Sequence, residues 1–176
     1  MQRPARPPLY TPEERQRRDE TPWTIVQGIL APLQFLVFLV SLGLVLHYLL
    51  TGNGLAAATA SVVLKTLILY TIMVTGAIWE KVVYGQYLFA PAFFWEDVVS
   101  MAVIALHTAY LACWILGLGS PAQQLLIALA AYAIYVINAV QFLLKLRAAR
   151  LDADRENATR DSGASRSDLD LQGALE

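Results

Sequence analysis

The stretch WEKVVYGQYLFAPAFFWED, residues 79–97, separates two runs of almost purely apolar sequence. It holds seven aromatic residues and three carboxylates among its nineteen residues. An aromatic belt at a membrane interface explains the rings, and a solvated loop explains the acids, but neither explains both in one segment. The apolar runs on either side determine the fold class, and this stretch is where we look for chemistry.

The composition is that of an integral membrane protein. Of 176 residues, 57% are hydrophobic, and the mean hydropathy is +0.49. A soluble domain of this size could not bury so many apolar side chains. The formal net charge is -1, but the basic residues cluster at the two ends of the chain, with only Lys65 and Lys81 between the clusters. The single cysteine, Cys113, lies within an apolar run, which favours a packing role.

Four apolar runs are long enough to cross a bilayer, which predicts an all-α bundle of four transmembrane helices. Gly, Asn and Pro turn residues separate the first run from the second and the third from the fourth. The predicted spans are Trp23 to Leu50, Leu55 to Lys81, Phe94 or Asp97 to Leu118, and Pro121 to Leu146.

The basic residues predict the orientation of these spans. Both ends of the chain carry them, whereas the turns at 51–54 and 119–121 carry none, so the positive-inside rule places both termini in the cytoplasm. The predicted organisation is a cytoplasmic tail at 1–22, a transmembrane domain at 23–150 with a cytoplasmic aromatic and acidic loop at 80–96, and a disordered cytoplasmic tail at 151–176.

Polar side chains within the spans fall on one stripe of each helix at roughly 100° per residue. An ionisable group in lipid costs several kcal/mol unless it is paired or faces a polar cavity, so we expect the four stripes to face one cleft that opens toward the cytoplasm. The stripes are Gln27, Gln34 and Ser41; Thr66, Tyr70, Met73 and Glu80, with Lys65 beside them; Glu96, Ser100, Val103, His107, Tyr110 and Trp114; and Ile134, Asn138, Gln141 and Lys145.

Structural roles compete with functional ones for these residues. The aromatic residues of the opening stretch suit an interfacial belt, and Asn138 and the threonines suit hydrogen bonding between helices. Glu80 and Asp97 suit solvated helix ends, and Asp97 also suits the first turn of a helix. A shared stripe within or beside the membrane favours function for Glu96 and His107.

Known catalytic motifs are missing from the sequence. It has no H-E-x-x-H, G-x-S-x-G, P-loop, C-x-x-C or repeated E-x-x-H motif, which leaves no basis for zinc hydrolysis, acyl-enzyme, nucleotide, dithiol or diiron chemistry. Two classes remain. One is acid/base chemistry on a substrate dissolved in the membrane, and the other is a bundle that transports, assembles or scaffolds.

Four segments resemble the 3-vinyl bacteriochlorophyllide hydratase family of bacteriochlorophyll-making phototrophs. They are Thr11 to Leu46, Leu69 to Met101, Ala105 to Ala112 and Ala130 to Leu151, and GAIWEKVVYGQYLFAPAFFWED at 76–97 is the most specific part. The resemblance implies a hydro-lyase that adds water to the 3-vinyl group of a magnesium chlorin or bacteriochlorin, giving a 3-(1-hydroxyethyl) group. This reaction needs no redox cofactor, and we expect the protein alone to bind no metal.

The same resemblance implies a multi-pass protein of the bacterial inner membrane, either cytoplasmic or intracytoplasmic. The expected partners are the magnesium (bacterio)chlorophyllide, water and the lipid bilayer, without nucleic acid. A homo-oligomer, or contact with other pigment-biosynthesis enzymes, is left open. The alternative to an enzyme is a small membrane pigment carrier or assembly subunit.

The chemistry of hydration indicates which residues act. Protonation of the terminal vinyl carbon leaves a cation that the macrocycle delocalises, and water then attacks the inner carbon. A carboxyl group in an apolar, aromatic-walled site is the natural proton donor. Glu96 or Glu80 is the candidate acid, with Asp97 or the other glutamate as the base. The candidate walls are Tyr84, Tyr87, Phe93, Phe94 and Trp95.

Residues within the spans complete the predicted binding site. His107 is the candidate axial ligand for the pigment's magnesium, although it lies roughly 16 Å along the helix from Glu96 at 1.5 Å per residue. The alternative is that His107 pairs with Lys65 or Asn138 inside the bundle. Lys81 or Lys145 is a candidate cation for the pigment's propionate.

Overall fold

The computed structural model describes the backbone of residues 9–173 and the side chains of residues 9–151. Its helices are α1 (Pro12–Glu20), α2 (Pro22–Thr51), α3 (Leu55–Tyr84), α4 (Phe94–Ile115) and α5 (Pro121–Gly173). Four segments are long and apolar enough to cross a membrane, namely α2, α3, α4 and the Pro121–Leu151 part of α5. The all-helical, four-span prediction is confirmed, and the described residues contain no strand.

Glycines end α2 and α3, the first within the predicted turn at 51–54 and the second beyond the predicted end of the span at Lys81. Gly52 has a φ of 72° and its N–H donates to the carbonyl of Tyr48, closing α2, while Gly85 has a φ of 85° and closes α3 in the same way through Lys81. This left-handed conformation costs a residue with a Cβ more than it costs glycine. The connection between α3 and α4 is residues 85–93, so Glu80 and Glu96 lie on helices and not within the loop predicted at 80–96.

The short helix α1 lies within the predicted N-terminal tail and was missed because it has no apolar periodicity. Thr11 and Glu14 form a capping box: the Thr11 N–H donates to Glu14 Oε2 at 2.8 Å, and the Glu14 N–H donates to Thr11 Oγ1 at 3.2 Å. The sequence TPEE was the available signal. Tyr10, just before α1, stacks on Tyr84 at 5.9 Å between ring centroids, and burial raises the pKa of the Tyr10 hydroxyl.

Helices α2 and α3 pack against each other in antiparallel directions and are joined by polar contacts. Ser41 Oγ lies 2.7 Å from Ser61 Oγ at one level, and Gln27 Nε2 donates to Thr75 Oγ1 at 2.7 Å at another. The buried apolar core lies toward the α2–α3 turn, where side chains from four helices meet. It consists of Phe38, Val45, Ala58, Val62, Tyr110, Leu125, Ala128 and Tyr132.

Burial follows the predicted stripe closely on α4, whereas on α5 only Asn138 of the predicted stripe is buried. On α4 the stripe from Glu96 to Tyr110 is buried, but Trp114, which was expected to continue it, is 45% exposed. Residues 10–139 form one compact unit, and Val140 begins a second unit that continues α5. The backbone of α5 is helical to Gly173, where the sequence predicts a disordered tail from 151. Side chains beyond 151 lie outside the described residues.

Candidate functional site

Three carboxylates are buried at the end of the bundle where α3 ends and α4 begins. Glu80 lies in the last turn of α3 and is 6% exposed, while Glu96 and Asp97 lie in the first turn of α4 and are 7% and 4% exposed. Because carboxylates are rarely buried without partners, this cluster is the first candidate for chemistry. The sequence predicted all three residues as site residues, and the fold brings them to one end of the bundle.

The loop between the two helices is held by two of these carboxylates. Asp97 Oδ2 accepts the Phe89 N–H at 2.7 Å, and Glu80 Oε2 accepts the Ala90 N–H at 3.3 Å. Because the two amides are consecutive and less than about 4 Å apart, the two accepting oxygens lie within roughly 10 Å of each other. Carboxylates from α3 and α4 therefore bind two consecutive peptide units of the loop, on either side of Phe89.

Phe89 adopts a left-handed backbone conformation that is unfavourable for a bulky residue. Its φ is 60°, and no other described residue except glycine has a positive φ. The conformation costs roughly 1–2 kcal/mol, and a charge-assisted bond such as that from the Phe89 N–H to Asp97 offsets a cost of this size. Asp97 thus has a structural role in shaping the loop, whatever part it takes in chemistry.

Replacing Asp97 separates these two roles. In Asp97→Ala the loop loses its acceptor, and we expect a loss of about 1–3 kcal/mol in the free energy of unfolding. Asp97→Asn keeps an acceptor oxygen and should recover most of that loss. Chemical denaturation of the purified protein in detergent measures both. Equal stability of wild type and Asp97→Ala would contradict the role of the bond to Phe89.

The predicted aromatic walls divide into a buried and an exposed group. Tyr84 and Phe93 pack edge-to-face at 5.9 Å, and both contact Trp79, so they join the end of α3 to the loop. Phe93 is only 4% exposed. Tyr87, Phe94 and Trp95 are instead 61%, 43% and 68% exposed. We call the second group the exposed aromatic face, together with Phe89, whose ring lies 5.8 Å from that of Phe94.

Lys81 and Asn138, two further predicted binding residues, have backbone partners. Lys81 Nζ donates to the Gly85 carbonyl at 2.6 Å and lies 5.4 Å from the centre of the Tyr87 ring, so it caps α3. Asn138 Nδ2 donates to the backbone carbonyl of Glu96 at 3.0 Å and to Ser100 Oγ at 2.8 Å. Asn138 therefore fixes the first turns of α4, which carry Glu96 and Asp97.

Lys65 and His107 form a pair deep in the bundle, and neither is exposed. Lys65 Nζ lies 3.1 Å from His107 Nε2, and His107 Nδ1 lies 2.8 Å from the carbonyl of Val103. A carbonyl only accepts, so Nδ1 carries the ring proton and Nε2 accepts from Lys65. Both ring nitrogens are thus engaged. This geometry corresponds to the predicted alternative, in which His107 pairs with Lys65.

Aromatic and hydroxyl groups extend this pair into a network that the sequence did not predict. Lys65 Nζ lies 4.2 Å from the ring centre of Tyr135 and 5.1 Å from that of Tyr132, within the range of cation–π contacts. The Tyr132 hydroxyl lies 2.6 Å from Ser41 Oγ. The spacing of Tyr132 and Tyr135 on one helix face was visible in the sequence. The sequence did not show which helix this face packs against.

Two shallow apolar grooves lie away from the carboxylates. The larger, of about 560 Å³, is formed by α3 and one residue of α4, and the smaller, of about 180 Å³, lies between α2 and α3. Their linings are Ala56, Thr59, Ala60, Val63, Leu64, Leu67 and Trp114, and Leu36, Val37, Val40, Ser61 and Leu64. Neither lining includes a predicted site residue.

Comparison with known proteins identifies the family. A family model described as 2-vinyl bacteriochlorophyllide hydratase matches residues 10–148. The chain belongs to this family. A protein named 2-vinyl bacteriochlorophyllide hydratase from Cereibacter sphaeroides is 74% identical over 147 residues, which is 83% of this chain and 91% of that protein. One of the same name from Rhodobacter capsulatus is 70% identical over 158 residues, 89% of this chain and 91% of that protein.

No solved structure matches the chain. The region matched by the 2-vinyl bacteriochlorophyllide hydratase family model includes every candidate residue described above. The family name numbers the vinyl position 2 where the resemblance drawn from the sequence numbers it 3, a minor difference of wording. Family membership is confirmed, while the individual roles of the residues rest on chemistry and geometry.

Proposed function

We propose that this protein adds water across the vinyl group of a magnesium (bacterio)chlorophyllide, using the buried carboxylates Glu96, Glu80 and Asp97 for proton transfer. The product carries a 1-hydroxyethyl group, and the step belongs to bacteriochlorophyll biosynthesis. One observation carries the assignment of the site: in a chain of this hydratase family, three carboxylates lie buried beside an exposed aromatic face at one end of the bundle.

Hydration has a simple balance of bonds and protons. A carboxylic acid gives its proton to the terminal vinyl carbon, and the π electrons form the new C–H bond. The inner carbon becomes a cation that the macrocycle delocalises. Water then forms a C–O bond to this carbon and loses a proton to a carboxylate, so no electron acceptor or donor is needed. One protonated carboxylic acid and one ionised carboxylate are sufficient for a turnover.

The positions of the three carboxylates favour Glu96 as the acid. Glu96 lies next to Trp95 and Phe94 of the exposed aromatic face, and Asn138 holds its backbone carbonyl. We assign proton donation to Glu96 and proton acceptance to Asp97 or Glu80.

In this proposal the macrocycle binds at the exposed aromatic face. A large flat apolar ring binds favourably against aromatic side chains that water or lipid otherwise contacts. The side chains of Tyr87, Phe94 and Trp95 are exposed, whereas Phe93 is buried and packs against Tyr84. Neither apolar groove adjoins the carboxylates, so we propose that the ring docks at the aromatic face with its vinyl arm directed inward.

The remaining predicted binding residues have supporting roles in this proposal. Asn138 positions α4, and Lys81 caps α3 beside the aromatic face, where its charge also suits the pigment's propionate. Lys65 and His107 stabilise the bundle through their mutual hydrogen bond. His107 as an axial ligand of magnesium requires that this bond be broken, which the geometry does not favour.

The proposed membrane arrangement follows the charges. We place the carboxylate end of the bundle and both termini in the cytoplasm, because the basic residues flank the spans at the two ends of the chain. The bacterial inner membrane then holds the four spans, and the pigment reaches the aromatic face at its cytoplasmic surface. Association with a second copy or with other pigment-biosynthesis enzymes stays a prediction.

A direct assay tests the activity. Membranes that contain this protein as their only pigment enzyme are incubated with the vinyl-bearing (bacterio)chlorophyllide, and the absorption spectrum is followed. Loss of vinyl conjugation should shift the long-wavelength band to the blue, and mass spectrometry should show the addition of one water. A pigment carrier would bind the substrate without this conversion, and that result would contradict the proposal.

A further inference from the structure

Gln34 is a buried amide without a protein partner. It lies on the buried face of α2, is only 2% exposed, and neither its Oε1 nor its Nε2 has a hydrogen-bond partner among the described residues. Leaving such a group unsatisfied is costly, so native proteins almost always pair it with protein or with an ordered water. It lies roughly 18 Å along α2 from the start of the helix, at 1.5 Å per residue, and its burial leaves almost none of the side chain in contact with bulk solvent.

The contacts between helices show which residues lie at the level of Gln34. On α2 it lies midway between Gln27 and Ser41, whose partners on α3 are Thr75 and Ser61. Its level on α3 is therefore residue 68, midway between these partners.

A second set of contacts relates Gln34 to α5 and α4. Phe38 packs against Tyr135 at 5.0 Å between ring centroids, and α5 runs opposite to α2. One turn from Phe38 toward the start of α2 is Gln34, and one turn from Tyr135 along α5 reaches Asn138. Asn138 in turn donates to Ser100 and to the carbonyl of Glu96. The orphan amide thus lies level with the polar residues next to the catalytic carboxylates.

We propose that Gln34 binds the water molecule that the hydration consumes, at the inner end of a polar path past Asn138 and Ser100 to the carboxylates. This inference rests on the proposed function and extends it to the second substrate. A carboxamide suits this role because its oxygen accepts from water while its nitrogen donates to the water oxygen. In this proposal the water bound at Gln34 is the nucleophile, so the occupancy of this position limits the rate of attack on the cation.

The test compares full-length wild type with Gln34→Met, which keeps the length of the side chain and removes its hydrogen bonds. We expect kcat for hydration to fall about 10- to 100-fold, while KM for the pigment and the melting temperature are maintained. The matched control is Ser41→Ala, on the same buried face of α2 but with partners in Ser61 and Tyr132. It should lower the melting temperature and leave turnover per folded protein unchanged.

A second variant tests the identity of the nucleophile site. Gln34→Ala enlarges the site, so with methanol added its product should contain a larger share of methyl ether than the wild-type product. In that side reaction methanol forms the C–O bond and gives its proton to the carboxylate. Mass spectrometry measures the ratio of ether to alcohol. A purely structural role for Gln34 would leave this ratio unchanged.

Each other outcome has a distinct meaning. Turnover of Gln34→Met within about twofold of wild type would overturn the inference and leave the hydratase activity standing. A fall in turnover accompanied by a lower melting temperature and weaker pigment binding would show that Gln34 is structural, which also overturns the inference. A wild-type protein that binds pigment without forming alcohol would overturn the proposed function itself, and the role of Gln34 with it.

Discussion

Glu96→Gln should abolish hydration of the vinyl group while the pigment still binds. The substitution keeps the shape of the side chain and removes only its ability to give a proton to carbon. General acid catalysis contributes roughly 10²- to 10⁴-fold to a rate, and water is a much weaker acid than a carboxyl group and cannot replace it as the proton donor to an alkene carbon, so we expect the loss at or above the upper end. The absorption shift gives turnover, and pigment quenching of tryptophan fluorescence gives binding.

Two comparisons make the Glu96 result specific. Glu13→Gln makes the same chemical change on an exposed residue of α1 and should have no effect on turnover. Glu80→Gln and Asp97→Asn retain an acceptor for the loop N–H groups and should lower turnover less than Glu96→Gln if those carboxylates act as bases that replace one another. A Glu96→Gln protein that hydrates at the wild-type rate would remove Glu96 from the mechanism.

The sequence predicted those parts of the fold that depend on a single helix. Apolar length determines a span, so the number of crossings and their Gly and Pro ends follow from the order of residues along the chain. Helical periodicity likewise predicted that Glu96, Ser100, Val103 and His107 share a buried face. The helix α1 was missed because it is almost wholly polar, although its capping box was present in the sequence.

Features that depend on packing between elements were not predictable. The sequence does not distinguish which aromatic residues near the loop are buried, yet Phe93 is buried and neighbouring Phe94 is exposed. The left-handed turn at Phe89 within the same loop is likewise a conformation that no sequence rule assigns to phenylalanine. The register between α3 and α4, which brings Lys65 to His107, is likewise set by side-chain packing and not by the periodicity of either helix.

The second large effect is expected at the Lys65–His107 pair, as a coupling between two substitutions. Lys65→Met and His107→Leu each leave the other side chain buried without its hydrogen-bond partner. That costs about 1–3 kcal/mol in the free energy of unfolding for each single variant. The double variant removes both polar groups and replaces them by apolar side chains of similar size, which is nearly neutral in other buried sites. Its destabilisation should therefore be smaller than that of either single variant.

A double-mutant cycle measures this coupling by chemical denaturation of the purified protein in detergent. Substitutions at independent sites add within about 0.5 kcal/mol, whereas residues in direct contact couple by about 0.5–3 kcal/mol. Additive losses would mean that the 3.1 Å contact contributes nothing to stability.

The same double variant decides whether His107 serves the bundle or the pigment. Because both nitrogens of its ring are engaged, by Lys65 and by the Val103 carbonyl, we expect the double variant to bind the magnesium pigment with the wild-type absorption spectrum. If His107 were an axial ligand, its removal would change the coordination of the magnesium, and the absorption bands of the bound pigment would shift. A stable double variant that no longer binds pigment would return His107 to the binding site and place the macrocycle along α4.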